Sequence, residues 1–166
     1  MTAKTALLIM FVMWTVRCSS VAEPAPVTPR SDISHDLVLS PDGTKSIYSA
    51  TISDGSEQLF LADADGRQPV QITFDGLRNH SPDWSPCGRL VLFVSDRDGD
   101  AEIFIMDADG SHQRQLTFND HWDGQPTWSA DGRQILFACK SGEDVEKFAI
   151  TDGAGTFKLV DDRTQD

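Results

Sequence analysis

Basic residues are scarce in this chain. Fourteen Lys and Arg stand against 26 Asp and Glu, a formal charge of −12. Lys4 and Arg17 fall in the first 22 residues, which hold no acid. Beyond them 12 basic residues face 26 acidic ones, or −14. Such a surface repels phosphate backbones and anionic headgroups, which excludes nucleic acid as a partner. The acidity reads as a solubility device rather than as a dedicated cation site. Cysteine is scarce too. Of Cys18, Cys87 and Cys139, the first belongs to the leader described below. The other two lie at opposite ends of neighbouring repeats and show no metal-ligand spacing, so neither a disulfide framework nor a zinc site is expected. Long apolar runs are missing after residue 16. The catalytic signatures are missing as well: there is no Gly-x-Ser-x-Gly elbow, no His-Glu-x-x-His and no Walker loop. Gly153-Ala154-Gly155 alone is no dinucleotide fingerprint. The expectation is a chain that is not an enzyme and holds no cofactor and no metal.

The one apolar run, Thr5 to Val16, follows Lys4 and precedes the small residues Ser20-Val21-Ala22. This is the layout of an export signal with cleavage before Glu23. Twelve residues rise only about 18 Å as a helix, short of the roughly 30 Å of a hydrocarbon core. A periplasmic or secreted protein with no membrane span in its mature chain is therefore expected. Lipidation at Cys18 is the rival reading, and Arg17 just before that cysteine argues against it. Residues 23–34 begin with the Pro-rich stretch EPAPVTPRS and read as an extended linker.

From residue 35 onward the chain repeats itself. Leu39-Ser40-Pro41-Asp42-Gly43 matches Trp84-Ser85-Pro86-Cys87-Gly88 and Trp128-Ser129-Ala130-Asp131-Gly132, with the glycines 45 and 44 residues apart. Five positions after each glycine stands Tyr48, Phe93 or Phe137. A polar turn follows at Gly55, Gly99 or Gly142, then an apolar stretch: Leu59-Phe60-Leu61, Ile103-Phe104-Ile105, Phe148-Ala149-Ile150. Asp63-Ala64-Asp65-Gly66 and Asp107-Ala108-Asp109-Gly110 mark a second turn. Each copy closes on an apolar-polar tail ending at Phe74, Phe118 or Val160. Short β-branched and aromatic runs separated by glycine turns predict four strands per copy. In the middle copy these include Arg89 to Ser95, Glu102 to Asp107 and Arg114 to Phe118. No stretch sustains a helical period.

Four antiparallel strands at a period near 44 are the mark of a β-propeller blade. The expected fold is thus all-β: three four-stranded antiparallel blades over about 35–74, 81–118 and 125–160, within a repeat domain spanning 35–166. The aromatics Tyr48, Trp84, Phe93, Trp128 and Phe137 are the natural filler between blades. A ring normally needs four to eight blades, so a homodimer making a six-bladed ring is the simplest way to cover both ends of the fan; a separate chain that completes the ring and a truncated remnant of a longer propeller are the alternatives.

The strings SPDWSPCGRLVLFVSDRDGDAEIFIMDADGSHQRQLTF and QPTWSADGRQILF resemble the WD-like propeller repeat of the TolB family, over about residues 35 to 160. That pattern runs Pro-x-Trp-Ser-Pro-Asp-Gly, then Ser-x-Arg-Asp-Gly, then Ala-Asp-Gly before a final Leu-Thr. Cys87 replaces its aspartate in the middle copy and Leu39 its tryptophan in the first. The resemblance implies a periplasmic propeller that binds a protein of the cell envelope, the peptidoglycan-associated lipoprotein. The family's N-terminal α/β domain has no counterpart in the short linker here.

Propellers bind ligands on loops at the mouths of the central channel, and loops on a rigid scaffold concentrate function. Two such loops align without a gap: Asp75 to Ser81 and Asn119 to Gln125. They nominate Arg78, Asn79, His80, His121, Trp122 and Asp123 as partner-binding residues. Asp96-Arg97-Asp98-Gly99-Asp100 and the two Asp-Ala-Asp-Gly turns share the composition of calcium loops but lack the spacing and the closing glutamate. The expected function is a non-catalytic binding or scaffold module of the envelope. The alternative is a propeller attached to an enzyme, either gating a serine peptidase or acting as a small-substrate hydrolase or lyase.

Overall fold

The computed structural model describes residues 37–142, 144–152 and 157–160. The expected leader, its cleavage point and the linker lie outside them. Twelve strands form three separate antiparallel sheets of four. The first sheet holds β1 (Val38–Leu39), β2 (Lys45–Thr51), β3 (Glu57–Asp63) and β4 (Val70–Gln71). The second holds β5 (Asn79–Trp84), β6 (Leu90–Ser95), β7 (Glu102–Asp107) and β8 (Arg114–Gln115). The third holds β9 (Trp122–Trp128), β10 (Gln134–Ser141), β11 (Asp144–Asp152) and β12 (Phe157–Val160). In each, strands pair in chain order, as a meander. The all-β fold of three four-stranded blades is the one expected, and the three sheets form a fan that is not closed into a ring.

The turns between first and second strands repeat almost atom for atom. Gly43, Gly88 and Gly132 adopt φ of 69°, 70° and 71°, a left-handed conformation that glycine alone enters without steric cost. Their amides donate to the carbonyls of Ser40, Ser85 and Ser129 at 2.8, 2.8 and 2.9 Å. Each serine hydroxyl in turn accepts from the first amide of the next strand, Lys45, Leu90 or Gln134. In two copies an aspartate, Asp42 or Asp131, accepts from that hydroxyl at 2.6 Å. In the middle copy Cys87 stands there, its Sγ 3.5 Å from Ser85 Oγ. The position is built to receive a negative charge. Hydrogen bonding from Ser85 and from the Arg89 amide lowers the Cys87 thiol to about 7. Cys139 is buried between blades, where desolvation and the nearby Asp123 push its thiol up to about 12.

Packing between blades follows from strand alternation. Ile47 and Leu59 face the second blade and meet Trp84, Val91, Phe93, Phe104 and Met106. The opposite face of the second blade carries Leu92, Val94, Ile103 and Ile105, which meet Ile135, Phe137, Cys139 and Ile150 of the third. Of the aromatics expected as filler, Trp84, Phe93, Phe137 and the partly buried Trp128 hold these places, and Tyr48 does not. Trp84 also donates its indole N–H to the Val38 carbonyl across the junction at 3.1 Å. One aromatic pair recurs in every blade at nearly the same separation. Tyr48–Phe60, Phe93–Phe104 and Phe137–Phe148 have ring centroids 5.8, 5.6 and 5.7 Å apart. In the second and third blades this pair points at the blade before it. In the first blade Tyr48 and Phe60 form a cluster with Ala50 and Ala62 on the face turned away from the second sheet.

The last strand of a blade is shorter than its sequence suggests. β8 ends at Gln115, not Phe118, and β4 at Gln71. The cause is a threonine. The hydroxyls of Thr73 and Thr117 accept from the Leu59 and Ile103 amides at 2.8 and 2.9 Å. A side chain thus takes the place that a strand carbonyl would fill, and the ladder stops.

Two predictions follow from this packing. Phe93→Ala empties the middle of the first junction and is expected to cost about 3–5 kcal/mol in urea unfolding; a loss below 1 kcal/mol would contradict the packing. In the folded chain at neutral pH, iodoacetamide is expected to label Cys87 with a rate half-maximal near pH 7 and to leave Cys139 unmodified until urea is added. Equal labelling rates for the two would overturn the assignment.

Candidate functional site

The segments linking one blade to the next, residues 72–78 and 116–121, run into the innermost strands β5 and β9. They lie earlier in the chain than expected, because β4 and β8 stop at Gln71 and Gln115, while Asn79 and His80 belong to β5, and Trp122 and Asp123 to β9. Both inner strands carry an irregularity just after this entry. Ser81 and Gln125, 44 residues apart, have φ of 52° and 54°, and the pairing register shifts there. Such bulges bend a strand and re-aim its first side chains.

The six nominated residues fall into two groups. Arg78, His121 and Trp122 are accessible. The Leu77 and Arg78 amides both donate to Asp96 Oδ1, at 2.8 and 2.9 Å, which holds the loop in place. The Arg78 guanidinium stays in solvent with Glu57 3.7 Å away. The His121 amide donates to Asn119 Oδ1 at 2.8 Å. Trp122 is 40% exposed, and its ring lies so close over Gly124 that no Cβ would fit there. His80 is half-buried, with Nδ1 2.9 Å from Ser81 Oγ. Asn79 and Asp123, by contrast, are fully buried and hold the blades together.

Around Asn79 the first junction is knitted by neutral groups and one cation. Asn79 Nδ2 donates to Gln58 Oε1 at 3.0 Å and to the Asp75 carbonyl at 2.7 Å. Thr73 donates to the same Gln58 oxygen. Arg97 reaches in from β6's end, donating to Asn79 Oδ1 and Ser95 Oγ at 3.2 and 2.9 Å, with its guanidinium 4.6 Å from the Phe104 ring centroid. Around Asp123 the same positions carry acids. Glu102 stands in the place of Gln58, and its two oxygens accept from the Thr117 hydroxyl and, at 2.8 Å, from the Asn119 amide. Asp123 Oδ2 accepts from Asn119 Nδ2 at 2.7 Å, and its amide donates to the Ala101 carbonyl at 2.8 Å. Burial, and then the Asp123 carboxylate, push the Glu102 carboxyl up to about 7.

The sequence reading missed a feature at this end of the fan. Phe74 and Phe118, at equivalent positions, are 72% and 77% exposed, and Leu77 is 73% exposed. The repeat pattern puts Phe74 and Phe118 at strand ends and Leu77 in the loop that follows. The threonine that stops the ladder also releases them into solvent, and the sequence signal for this was the repeated Thr-Phe itself. The acidic turns use their carboxylates locally: Asp65 and Asp109 accept from the Arg67 and Ser111 amides. Among the described residues no three His, Cys, Asp or Glu side chains converge as metal ligands.

Comparison with known proteins matches residues 29–163 to the family model described as the TolB beta propeller domain. The crystal structure of TolB from Acinetobacter baumannii superposes with a TM-score of 0.67 at 25% identity, over 80% of this chain and 33% of that one. A TolB-like protein of Agrobacterium tumefaciens gives 0.64 at 27% identity, over 73% and 46%. An oligogalacturonate lyase in complex with manganese shares the fold alone, with a TM-score of 0.61 at 12% identity, over 82% of this chain and 42% of that one. The chain therefore spans between a third and a half of these structures. No match was found among curated protein sequences. The register of the blades, the recurring aromatic pair and the matched residues agree, and the chain belongs to the TolB β-propeller family.

Proposed function

We propose that this chain is an exported, non-catalytic protein-binding module of the cell envelope, and that its partner docks where the chain passes from one blade to the next. The observation that carries this reading is the pair Phe74 and Phe118. Two phenylalanines 44 residues apart stand in solvent on rigid loops, beside Leu77, Arg78, His121 and Trp122. Solvent-exposed aromatics on a fixed scaffold are the composition of a protein interface, with Trp and Arg as its usual anchors. The TolB resemblance favours a lipoprotein of the peptidoglycan-associated type as partner, and a periplasmic location. The leader expected over residues 1–22 supports export. Among the described residues no helix is long and apolar enough to cross a membrane. A propeller attached to an enzyme is the second reading, and it rests on fold likeness to the lyase.

The ends of the fan support a second copy as a further partner. The outward face of the third blade carries Leu136, which is 44% exposed, and with Phe137, Ala138 and Lys147 it lines a depression of about 260 Å³. Leu136 occupies the position of Leu92, which receives the aromatic pair of the next blade. Two such contacts between copies would close a six-bladed ring with two-fold symmetry, although the Tyr48–Phe60 face that would enter the seat is already buried in the single chain, at 2% and 0% exposed.

Phe118→Ala and Trp122→Ala are expected to change stability by less than about 0.5 kcal/mol, as surface substitutions do. Each is expected to weaken binding to the purified periplasmic domain of a peptidoglycan-associated lipoprotein by roughly 30-fold, a loss of about 2 kcal/mol. Calorimetric affinities unchanged by both substitutions would sink the site. Light scattering of residues 23–166 is expected to show twice the mass of a single chain; a well-behaved monomer would exclude the closed ring.

A further inference from the structure

The two blade junctions share one backbone plan and differ in charge. At the first junction Gln58, Asn79, Ser56 and Arg97 make a network in which every contact pairs a donor with an acceptor. At the second junction, 44 residues on, Glu102, Asp123 and Asp100 replace the three neutral groups. Ser141 stands where Arg97 does. Three potential negative charges have entered and the cation has left. Glu102 is 1% exposed and Asp123 fully buried. Asp123 Oδ1 and Asp100 Oδ2 are buried and receive no hydrogen bond from the described residues. An uncompensated carboxylate in such a place costs more than any neutral alternative. A proton on the Glu102 carboxyl would make it a donor for Asp123, and the two carboxyls share one neighbour: the Asn119 amide donates to Glu102 and Asn119 Nδ2 donates to Asp123.

We propose that the junction between the second and third blades is a proton-dependent latch, in which one proton shared by the Glu102 and Asp123 carboxyls holds β9 against β7, and its loss loosens the third blade. The groups facing this proton act in both directions: burial and the Asp123 carboxylate favour it, while the hydrogen bonds that Glu102 accepts from the Asn119 amide and the Thr117 hydroxyl oppose it, and burial prevails. From the segment after β8 come the Thr117 hydroxyl and the Asn119 amides. From the β6–β7 turn comes Asp100, from β10 the Cys139 thiol, and from β11 Glu146, whose charge is felt at Cys139. No described cation offsets them: Arg97 lies at the other junction, over the Phe93 and Phe104 rings. Two like charges in contact cannot both ionise cheaply, so one holds its proton.

The sign follows from linkage. The folded Glu102 carboxyl binds its proton more tightly than the unfolded one, about 7 against 4.5. Stability is therefore fully present below pH 4.5 and is lost as the pH rises to about 7. The first junction has the neutral Gln58 and Asn79 where the second has its acids, and its Arg97 is faced by the exposed Asp75 at 3.9 Å, so no buried carboxyl pair gives it such a dependence. The latch would release the third blade, and with it Trp122 and His121, under mildly alkaline conditions.

Carbon-13 NMR of the full chain, labelled at its glutamate carboxyls, is expected to show one group titrating near neutrality, absent from Glu102→Gln. Urea midpoints of the unmodified chain are expected to fall between about pH 5 and 8, and those of Glu102→Gln to stay flatter, because glutamine keeps a donor for Asp123 at every pH. Asp123→Asn removes the second charge and sets an amide donor opposite Glu102, as Asn79 stands opposite Gln58, and is expected to flatten the profile likewise. General repulsion across an acidic surface acts on all three chains nearly alike and cancels in the comparison. Glu102 titrating in the ordinary carboxylate range, or pH profiles unchanged in both variants, would overturn the latch. If neither variant folds, the titration of the unmodified chain alone decides.

Discussion

A single blade cannot be stable. Its four-stranded sheet has apolar side chains on both faces, and only a second sheet on each side removes them from water. The contact that meets this demand is the stacked aromatic pair at the centre of each sheet, Phe93–Phe104 seated on Ile47 and Leu59, and Phe137–Phe148 seated against the second blade. A strand register shifted by one residue would turn these rings to the wrong face. The Ser-x-x-Gly turns prevent that, because three nearly identical sets of backbone hydrogen bonds set where each second strand begins. Turn chemistry and core packing therefore express one constraint, repeated every 44 residues or so.

That constraint also shapes the surface. Buried aromatics fix the blades, so the segments between blades give the core only their first residues, Ile72 and Leu116, and beyond these are free to carry other side chains. Thr73 and Thr117 mark where the change occurs. Each closes the ladder with its own hydroxyl, and the next residue, a phenylalanine, stands in water. A large aromatic with so little burial gains nothing for folding. It persists in both copies beside loops whose backbones are anchored, as Asp96 anchors Leu77 and Arg78. Rigidity is useful at such a place, since a partner binding a pre-ordered loop loses less entropy than one that must order it.

Much of this was legible in the residues. Spacing of the glycines and aromatics revealed the blades, whereas the unbroken apolar runs of β6 and β7, buried on both faces, carry no alternation from which a face could be assigned. Trp122 stood out because it had no place in the buried pattern, and it is partly exposed. Asn79 and Asp123 misled, for a physical reason: they precede the Trp-containing stretch and look like loop polars, yet the inner strand starts earlier than its apolar residues do. Bulges at Ser81 and Gln125 lengthen that strand without leaving a hydrophobic signature, since neither residue is a glycine. Phe74 and Phe118 misled in the opposite sense, because periodicity cannot show that a threonine side chain has replaced a backbone partner. Glu102 looked like any strand-end acid. Its meaning emerges only when it is laid over Gln58 in the register of the repeat.

The two junctions show how repeats diverge under a fixed fold. The backbone geometry of a junction is imposed by the rings beneath it, so the polar positions above keep their places whatever residues occupy them. At the first junction Arg97 satisfies Asn79 and Ser95 while its planar face covers Phe93 and Phe104, one side chain serving the polar network and the apolar core together. Removing such a residue leaves a choice between losing the acceptors it served and finding another donor. The second junction kept its acceptors, and indeed gained acidity at three positions. A proton is the smallest donor available to a buried carboxyl pair, and unlike a guanidinium it can leave. Interactions of similar geometry thus differ in kind: one junction is permanent, and the other is tied to the acidity of the surroundings.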